Sequence, residues 1–503
     1  VNAKYDELRE RLGEIHDLTK IGWLLNWDQS TVMPPGGGRV RSDQLATVAR
    51  LRHTMFTSDE IGSMLEELRA FEDSLPADSN EASLIRVTRY DWNKAKKVPI
   101  ELASNLARAS GEGYQAWKSA RANNNFAEFL PALETNIELR RRYVECFPEV
   151  AEPYDALLDD FEQGLTAAEV RSVFARVRDG LVPLVRHVLN HPDAVDDSPM
   201  RGHFPENDQR TLSVELLRYW GFNEEEWRLD PTAHPFAASI ATSDIRLTTR
   251  YDQANLAMSL FGSLHECGHG LYEHGVSSEL ERTPLCRGSS LSLHESQSRM
   301  FENLIGRSRE YWIFAYPILR SVFPEQFANV DEESVYRSVN KMEPSLIRVE
   351  ADELTYSLHI ILRFEIELDL FNGTLKVSDL PEVWNAKIQE YLGLDVPSDD
   401  VGVLQDVHWG DGLLGYFPTY ALGTIIASQI WNRMNAEFTG LNDQVARGQF
   451  DPVRSWLVEH LHRHGRKFTP KETILLAAGG PIDPEPYLHY LSDKVISLYG
   501  PLN

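Results

Sequence analysis

At 503 residues, 42% hydrophobic and 25% charged, the chain has the composition of an ordinary soluble protein with a full core. Its 76 acidic against 50 basic residues give a net charge of −26, which argues against nucleic acid as a partner because phosphate binding needs a basic surface. Three cysteines without paired spacing (Cys146, Cys267 and Cys286) make no disulfide framework, and no apolar run approaches the ~20 residues of a membrane span, so neither a disulfide scaffold nor a membrane protein is expected.

The first residues, Val1 to Glu7, lack the apolar core of a signal peptide, so a cytoplasmic location is expected. Leu8, Leu12, Ile15, Leu18, Ile21 and Leu25 recur at three and four and predict an amphipathic opening helix. It runs into a break at Pro34-Pro35-Gly36-Gly37-Gly38, and further helices follow to about residue 190. From 190 to 250 Pro, Gly and Asp cluster, and extended stretches are predicted around Met200–Pro205 and Ile245–Arg250, with another near Glu281–Leu285. Helices then resume, with starts at Thr469-Pro470 and Asp483-Pro484 and a helix-ending turn at Asn372-Gly373-Thr374. The expected fold is mainly α with one small β-sheet beside a helix that carries a metal motif.

That motif is His265-Glu266-Cys267-Gly268-His269, late in a helix predicted over about 252–273. Positions four apart share a helix face, so two imidazoles can meet one metal ion, and Glu266 can act as base toward a water beside it. Cys267 points off that face and reads as a packing residue. A catalytic zinc needs a third protein ligand. A third histidine in the pattern H-E-x-x-H-x-x-G-x-x-H is excluded, since Tyr272 and Gly275 stand where Gly and His are required. Carboxylates remain: Glu295 on a following helix, with Glu302, Glu279 and Glu273, the last on the motif helix itself with poor reach, as rivals. Glu295 has a competing local reading, because Ser292 and Glu295 are spaced as a helix capping box.

The motif followed by His294-Glu295-Ser296-Gln297-Ser298-Arg299 resembles the thermostable carboxypeptidase Taq family of metallocarboxypeptidases. His234-Pro235-Phe236, Asp244-Ile245-Arg246-Leu247-Thr248, Ile347-Arg348-Val349-Glu350-Ala351-Asp352 and Gly402-Val403-Leu404-Gln405-Asp406-Val407-His408-Trp409 stand in the family's order, so the similarity spans nearly the whole chain. The resemblance implies zinc held by His265, His269 and Glu295, with cobalt as a substitute, and Glu266 as general base. It also implies a large helical fold with a deep substrate groove, like that of neurolysin and angiotensin-converting enzyme, usually as a homodimer. The expectation is one peptidase domain over 1–503, in which a helical region 1–190 flanks the groove and 191–503 carries sheet, metal site and C-terminal helices. The implied activity is release of single C-terminal residues from peptides with broad side-chain tolerance.

Such an enzyme must recognise a free C-terminal carboxylate, which suits a forked guanidinium. Arg348 is predicted on a long helix, about 345–371, where Arg348, Asp352, Thr355, His359 and Arg363 share one polar face; that face reads as a groove wall or, more simply, as an Arg348–Asp352 ion pair. Arg246 is the second carboxylate candidate, on a strand taken as a sheet edge able to pair with a peptide or as a charge that blocks aggregation. His408 and Tyr420 are expected to stabilise the oxyanion, with the His408–Tyr420 spacing like that of neurolysin-like oligopeptidases; Tyr416 is a lesser candidate for substrate contact. Asp406 and Asp352 are candidates to orient such groups, and His234 to hold its loop. His460, His462 and His464 read as surface residues. The alternatives are an endo-acting zinc oligopeptidase on the same fold and a metal-binding scaffold without catalysis.

Overall fold

The computed structural model describes residues 2–502. The opening helix, Ala3–Thr31, is capped by the Asn2 side chain and buries Tyr5, Leu8, Leu12 and Ile15, the first half of the face that its periodicity marks, whereas Ile21 further along is exposed. Pro34 leaves helical geometry, a short 3₁₀ turn follows at Pro35–Gly37, and the chain reverses into Gly38–Phe56. Arg41 Nη2 donates to Asp28 Oδ2 at 2.7 Å across the reversal. Among the described residues no helix is long and apolar enough to cross a membrane.

The protein is mainly α-helical with one small sheet. The sheet has strands β1 (Trp227–Pro231), β2 (Ala237–Ala241) and β3 (Asp244–Thr249) in the order β1-β3-β2, with β1 parallel and β2 antiparallel to β3. Of the predicted extended stretches only the one at Ile245–Arg250 is a strand. Around Met200–Pro205 there is a 3₁₀ turn and a single bridge, Arg201 to Asn255. The Glu281–Leu285 stretch is a tight turn: Arg282 is left-handed (φ 57°) and the Thr283 hydroxyl donates back to the Leu280 carbonyl. β3 is the centre strand, which corrects its reading as an edge.

β3 lies against the motif helix, Leu256–His274, whose start is capped by Asn255. A Cβ on Gly270 would come within 2.6–3.0 Å of Trp227, Ile245 and Leu247, so this glycine lets the helix settle onto the sheet. Alternation along β3 then turns Arg246 to the other face, where its guanidinium lies 4.4 Å from the Trp27 ring centroid and is held by Asp244 at 2.9 Å through both Nε and Nη2.

The main hydrophobic core joins residues from Leu102 to Tyr499, and a second cluster unites Tyr5, Leu8, Leu12, Ile61, Leu65 and Leu84 with Val276, Leu280 and Leu285. The long helix expected over 345–371 begins only at Tyr356 and ends at Asn372, where Gly373 (φ 74°) closes it. Upstream, Arg348–Glu350 is a separate 3₁₀ turn. The Asp352 carboxylate is the reason for the break, because it accepts the backbone N–H groups of Leu354, Thr355 and Glu343.

Candidate metal centre and active site

His265 and His269 sit one turn apart on the motif helix, and Glu295 reaches them from the following helix, Leu291–Arg299. Glu295 Oε2 lies 3.7 Å from His265 Nε2 and 3.5 Å from His269 Nε2. Tetrahedral donors at ~2.1 Å from an ion stand ~3.4 Å apart, so this trio has the spacing of a metal site. The helix bearing Glu295 starts at Ser290, whose side chain accepts from Leu293 N. Ser292 therefore forms no capping box with Glu295; its hydroxyl donates to Glu162 instead, at 2.7 Å.

Two glycines bring these elements together. A Cβ on Gly268 would stand 2.5 Å from the Gln297 carbonyl oxygen, and one on Gly423 would stand 2.6 Å from Glu295 Cβ. Gly268, inside the metal motif, thus sets the backbone contact that brings Glu295 to the histidines. Gly268→Ala is expected to lower stability in denaturant unfolding by about 1–3 kcal/mol, the usual cost of forcing an atom into a packed core, and to weaken metal binding in the same variant.

The rival carboxylates support the ligands. Glu302 accepts from His265 Nδ1 at 2.8 Å. It sits on a π-helical turn, Met300–Ile305, a wider coil that commonly occurs at functional sites. His269 donates from Nδ1 to His294 Nδ1 at 2.6 Å, and His294 donates from Nε2 to Glu273 at 2.9 Å. Arg299 closes the cluster by donating to Glu295 (2.7 Å) and Glu302 (3.0 Å). Burial opposes ionisation of both Glu273 and Glu302, yet the His294 hydrogen bond holds Glu273 down to about 2, and Arg299 with His265 holds Glu302 down to about 2. Glu279 lies away from the site and accepts from Asn80.

Glu266 differs from these paired acids. Its Oε2 is buried without a hydrogen-bond partner among the described residues, and burial pushes its carboxyl up to about 7. An unpartnered carboxylate beside a metal site has the form of a base awaiting a proton donor. Cys267 is buried, 1% exposed, as a packing residue.

Tyr420 and Gly423 lie one turn apart near the start of the helix Pro418–Glu437, which places Tyr420 on the side facing Glu295. Its hydroxyl is 3.2 Å from His408 Nε2, and its ring centroid is 5.3 Å from that of Tyr416. Burial lowers His408 to about 4, so the imidazole is neutral at pH 7.

Arg348 pairs not with Asp352 but with Asp406, through Nε at 3.0 Å and Nη2 at 2.8 Å, while Nη1 donates to the Tyr356 hydroxyl at 3.1 Å. Arg363 Nε holds the other oxygen of Asp406 at 2.8 Å. Two guanidiniums share one carboxylate, which leaves one surplus positive charge 5.2 Å from the Tyr420 ring centroid, measured from Arg348 Cζ. Tyr356 links the two halves of the site, because Arg299 lies 4.2 Å over its ring. The polar face of this helix is not a wetted wall: His359 and Arg363 are fully buried, and His359 donates to the Ser345 carbonyl.

The fold thus brings His265, Glu266, His269, Glu295, His408, Tyr416, Tyr420 and Arg348 into one neighbourhood. Arg246 is engaged with Asp244 on the sheet face turned from the motif helix. His462 is corrected from surface to core. The chain leaves its helix at His460, and the 3₁₀ turn His462–His464 packs His462 on Tyr272 (5.1 Å between centroids), where it donates to Gln297 at 2.8 Å. Tyr356, Arg299 and Gly423 were not singled out by sequence reasoning. Only the arginine, four residues after Glu295, carried a usable signal, as an i,i+4 partner.

A model of the Carboxypeptidase Taq (M32) metallopeptidase family matches residues 7–495. Thermostable carboxypeptidase 1 of Thermus thermophilus is 40% identical over 99% of both chains, and carboxypeptidase 1 of Bacillus subtilis is 36% identical over 98% of both. A crystal structure of the M32 carboxypeptidase from Deinococcus radiodurans superposes with a TM-score of 0.96 at 38% identity, covering 99% of this chain and 100% of that one. These matches and the helical fold define a metal-dependent peptide hydrolase. The chain belongs to the Carboxypeptidase Taq (M32) metallopeptidase family.

Proposed function

We propose that the protein is a zinc carboxypeptidase that removes single residues from peptide C-termini with broad side-chain tolerance, with His265, His269 and Glu295 as the ligands. Two imidazoles and one carboxylate at the separations given above suit zinc, and would also take cobalt, with a coordination position left open. Bound there, the ion supplies a Lewis acid that polarises the scissile carbonyl and the attacking water. Glu266 takes the proton of that water and returns it to the leaving amine. Tyr420, hydrogen-bonded to His408, donates to the carbonyl oxygen as it gains charge, with Tyr416 beside it lining the approach. Arg348 holds the terminal carboxylate and so sets which bond is cut; Arg246, fixed to Asp244, is left to contact the peptide only by its exposed flank. The reading extends to one peptidase unit over 1–503, acting as a homodimer in the cytoplasm, which three unpaired cysteines suit.

The observation that carries the exopeptidase reading is the surplus charge of the Arg348–Asp406–Arg363 group beside Tyr420. A charge-assisted hydrogen bond contributes about 1.5–3 kcal/mol, or roughly 10- to 100-fold. Peptides amidated at the C-terminus should therefore be cleaved at least that much more slowly than the free acids. In Arg348→Ala the difference should shrink, with KM raised for the free acid. Equal kcat/KM for amide and acid in the wild type would make the enzyme an endopeptidase.

A further inference from the structure

A cavity of about 230 Å³ lies between the two N-terminal helices, Ala3–Thr31 and Gly38–Phe56, and the loop 283–287. Its charge is opposite to that of the molecule. Lys20, Arg52, Arg287 and Arg466 line it, against a single carboxylate, Asp91. Asp91 is committed to Arg466, which donates to it through both terminal nitrogens.

The other cations have no acid of their own among the described residues. Lys20 is only 7% exposed, forms no ion pair among the described residues, and makes one hydrogen bond, to the Ser239 carbonyl at 2.7 Å. A buried ammonium without a counter-charge is costly, so such an arrangement favours an anion nearby. Arg52 and Arg287 line the cavity, and their guanidiniums have neither hydrogen-bond nor ion-pair partners among the described residues. Two further carboxylates whose charge reaches Lys20 are also engaged: Glu281 accepts from Thr242 N, and Glu273 accepts from His294 and Gly288 N. The concentrated charge is felt within the cavity, since Arg466 pushes Arg287 down to about 10, and burial with the Lys20 charge pushes His16 down to about 4.

One wall of the cavity is tied to the metal centre by a relay of hydrogen bonds. Arg287 directly precedes Gly288, whose N–H donates to Glu273 at 3.0 Å, and Glu273 is the end of the chain that runs through His294 to His269. A protein of net charge −26 repels acidic peptides at long range, so a local cationic recess is where one could be received.

We propose that this cavity is a subsite for an acidic side chain of the peptide, upstream of the bond that is cut, with Arg52 and Arg287 as the paired carboxylate donors and Lys20 behind them. The proposal rests on the peptidase reading for its ligand, and its test separates the two. In peptides of otherwise neutral sequence, a single Glu is placed against Gln at successive positions upstream of the C-terminal residue, and the metal-loaded enzyme is assayed at low salt. At one position Glu should raise kcat/KM by about 10-fold or more. The Arg52→Gln, Arg287→Gln double variant should lose that preference and keep its rate on the all-Gln peptide. No preference at any position, or a preference that survives in the double variant, overturns the subsite. Binding of fluorescein-labelled tetraglutamate amide, read by anisotropy with tetraglutamine amide as control, needs no hydrolysis. It should weaken by about 10-fold or more in the double variant; equal binding overturns the proposal. Loss of that binding in a protein that hydrolyses no peptide would uphold the anion site and reject the peptidase reading.

Discussion

Glu266→Gln should lower kcat by about 10²–10⁴-fold, the range that general acid–base catalysis supplies, while the protein still binds one equivalent of metal. The substitution keeps the side chain's shape and removes only its ability to take a proton. No ligand pair depends on it, because Oε2 has no hydrogen-bond partner among the described residues, and a neutral amide avoids the burial penalty that raises the carboxyl to about 7. Kinetics on a free-acid peptide, with metal analysis of the same preparation, provide the check. Activity near the wild-type level would remove Glu266 from the mechanism; loss of metal would instead make it a structural partner of the ligands.

Glu295→Gln should have the larger effect on the metal itself. A neutral amide is a poor donor, and the change also takes from Arg299 one of its two carboxylates. Removing a partner that only supports a ligand costs about 10–100-fold in metal affinity, so loss of a direct ligand should exceed about 100-fold. Glu302→Gln, which breaks the hydrogen bond behind His265, should stay within the smaller range. Competition against a chelator distinguishes them. If the two variants rank the other way round, Glu302 is the ligand and Glu295 its support.

Local patterns were the legible part of this chain. The opening helix, the motif helix and the capped start at Thr469 all follow from periodicity or from a single side chain next to a backbone N–H. The two histidines were legible for the same reason, since a helix turn fixes their relation. The break before Tyr356 was missed because Asp352 satisfies backbone donors there, while the apolar periodicity on either side continues unchanged. β1 and β2 were missed because each is five residues long and gains its stability from pairing with β3. Spacing left Glu295, Glu302 and Glu273 as rivals, since their roles are set by how closely Gly268 and Gly423 let three helices approach. The partner of Arg348 lies 58 residues away, at Asp406, beyond the reach of any local rule.

The support behind the two histidines is unequal, and this makes them unlike donors. His265 gives its Nδ1–H to an ionised carboxylate, which draws the proton and lends the ring partial imidazolate character. His269 gives its own to the Nδ1 of His294, with the negative charge of Glu273 one ring further off. A cation held between them meets a lopsided field, electron-rich on the His265 side. Two histidines that look equivalent in the sequence motif are therefore a strong and a weaker base.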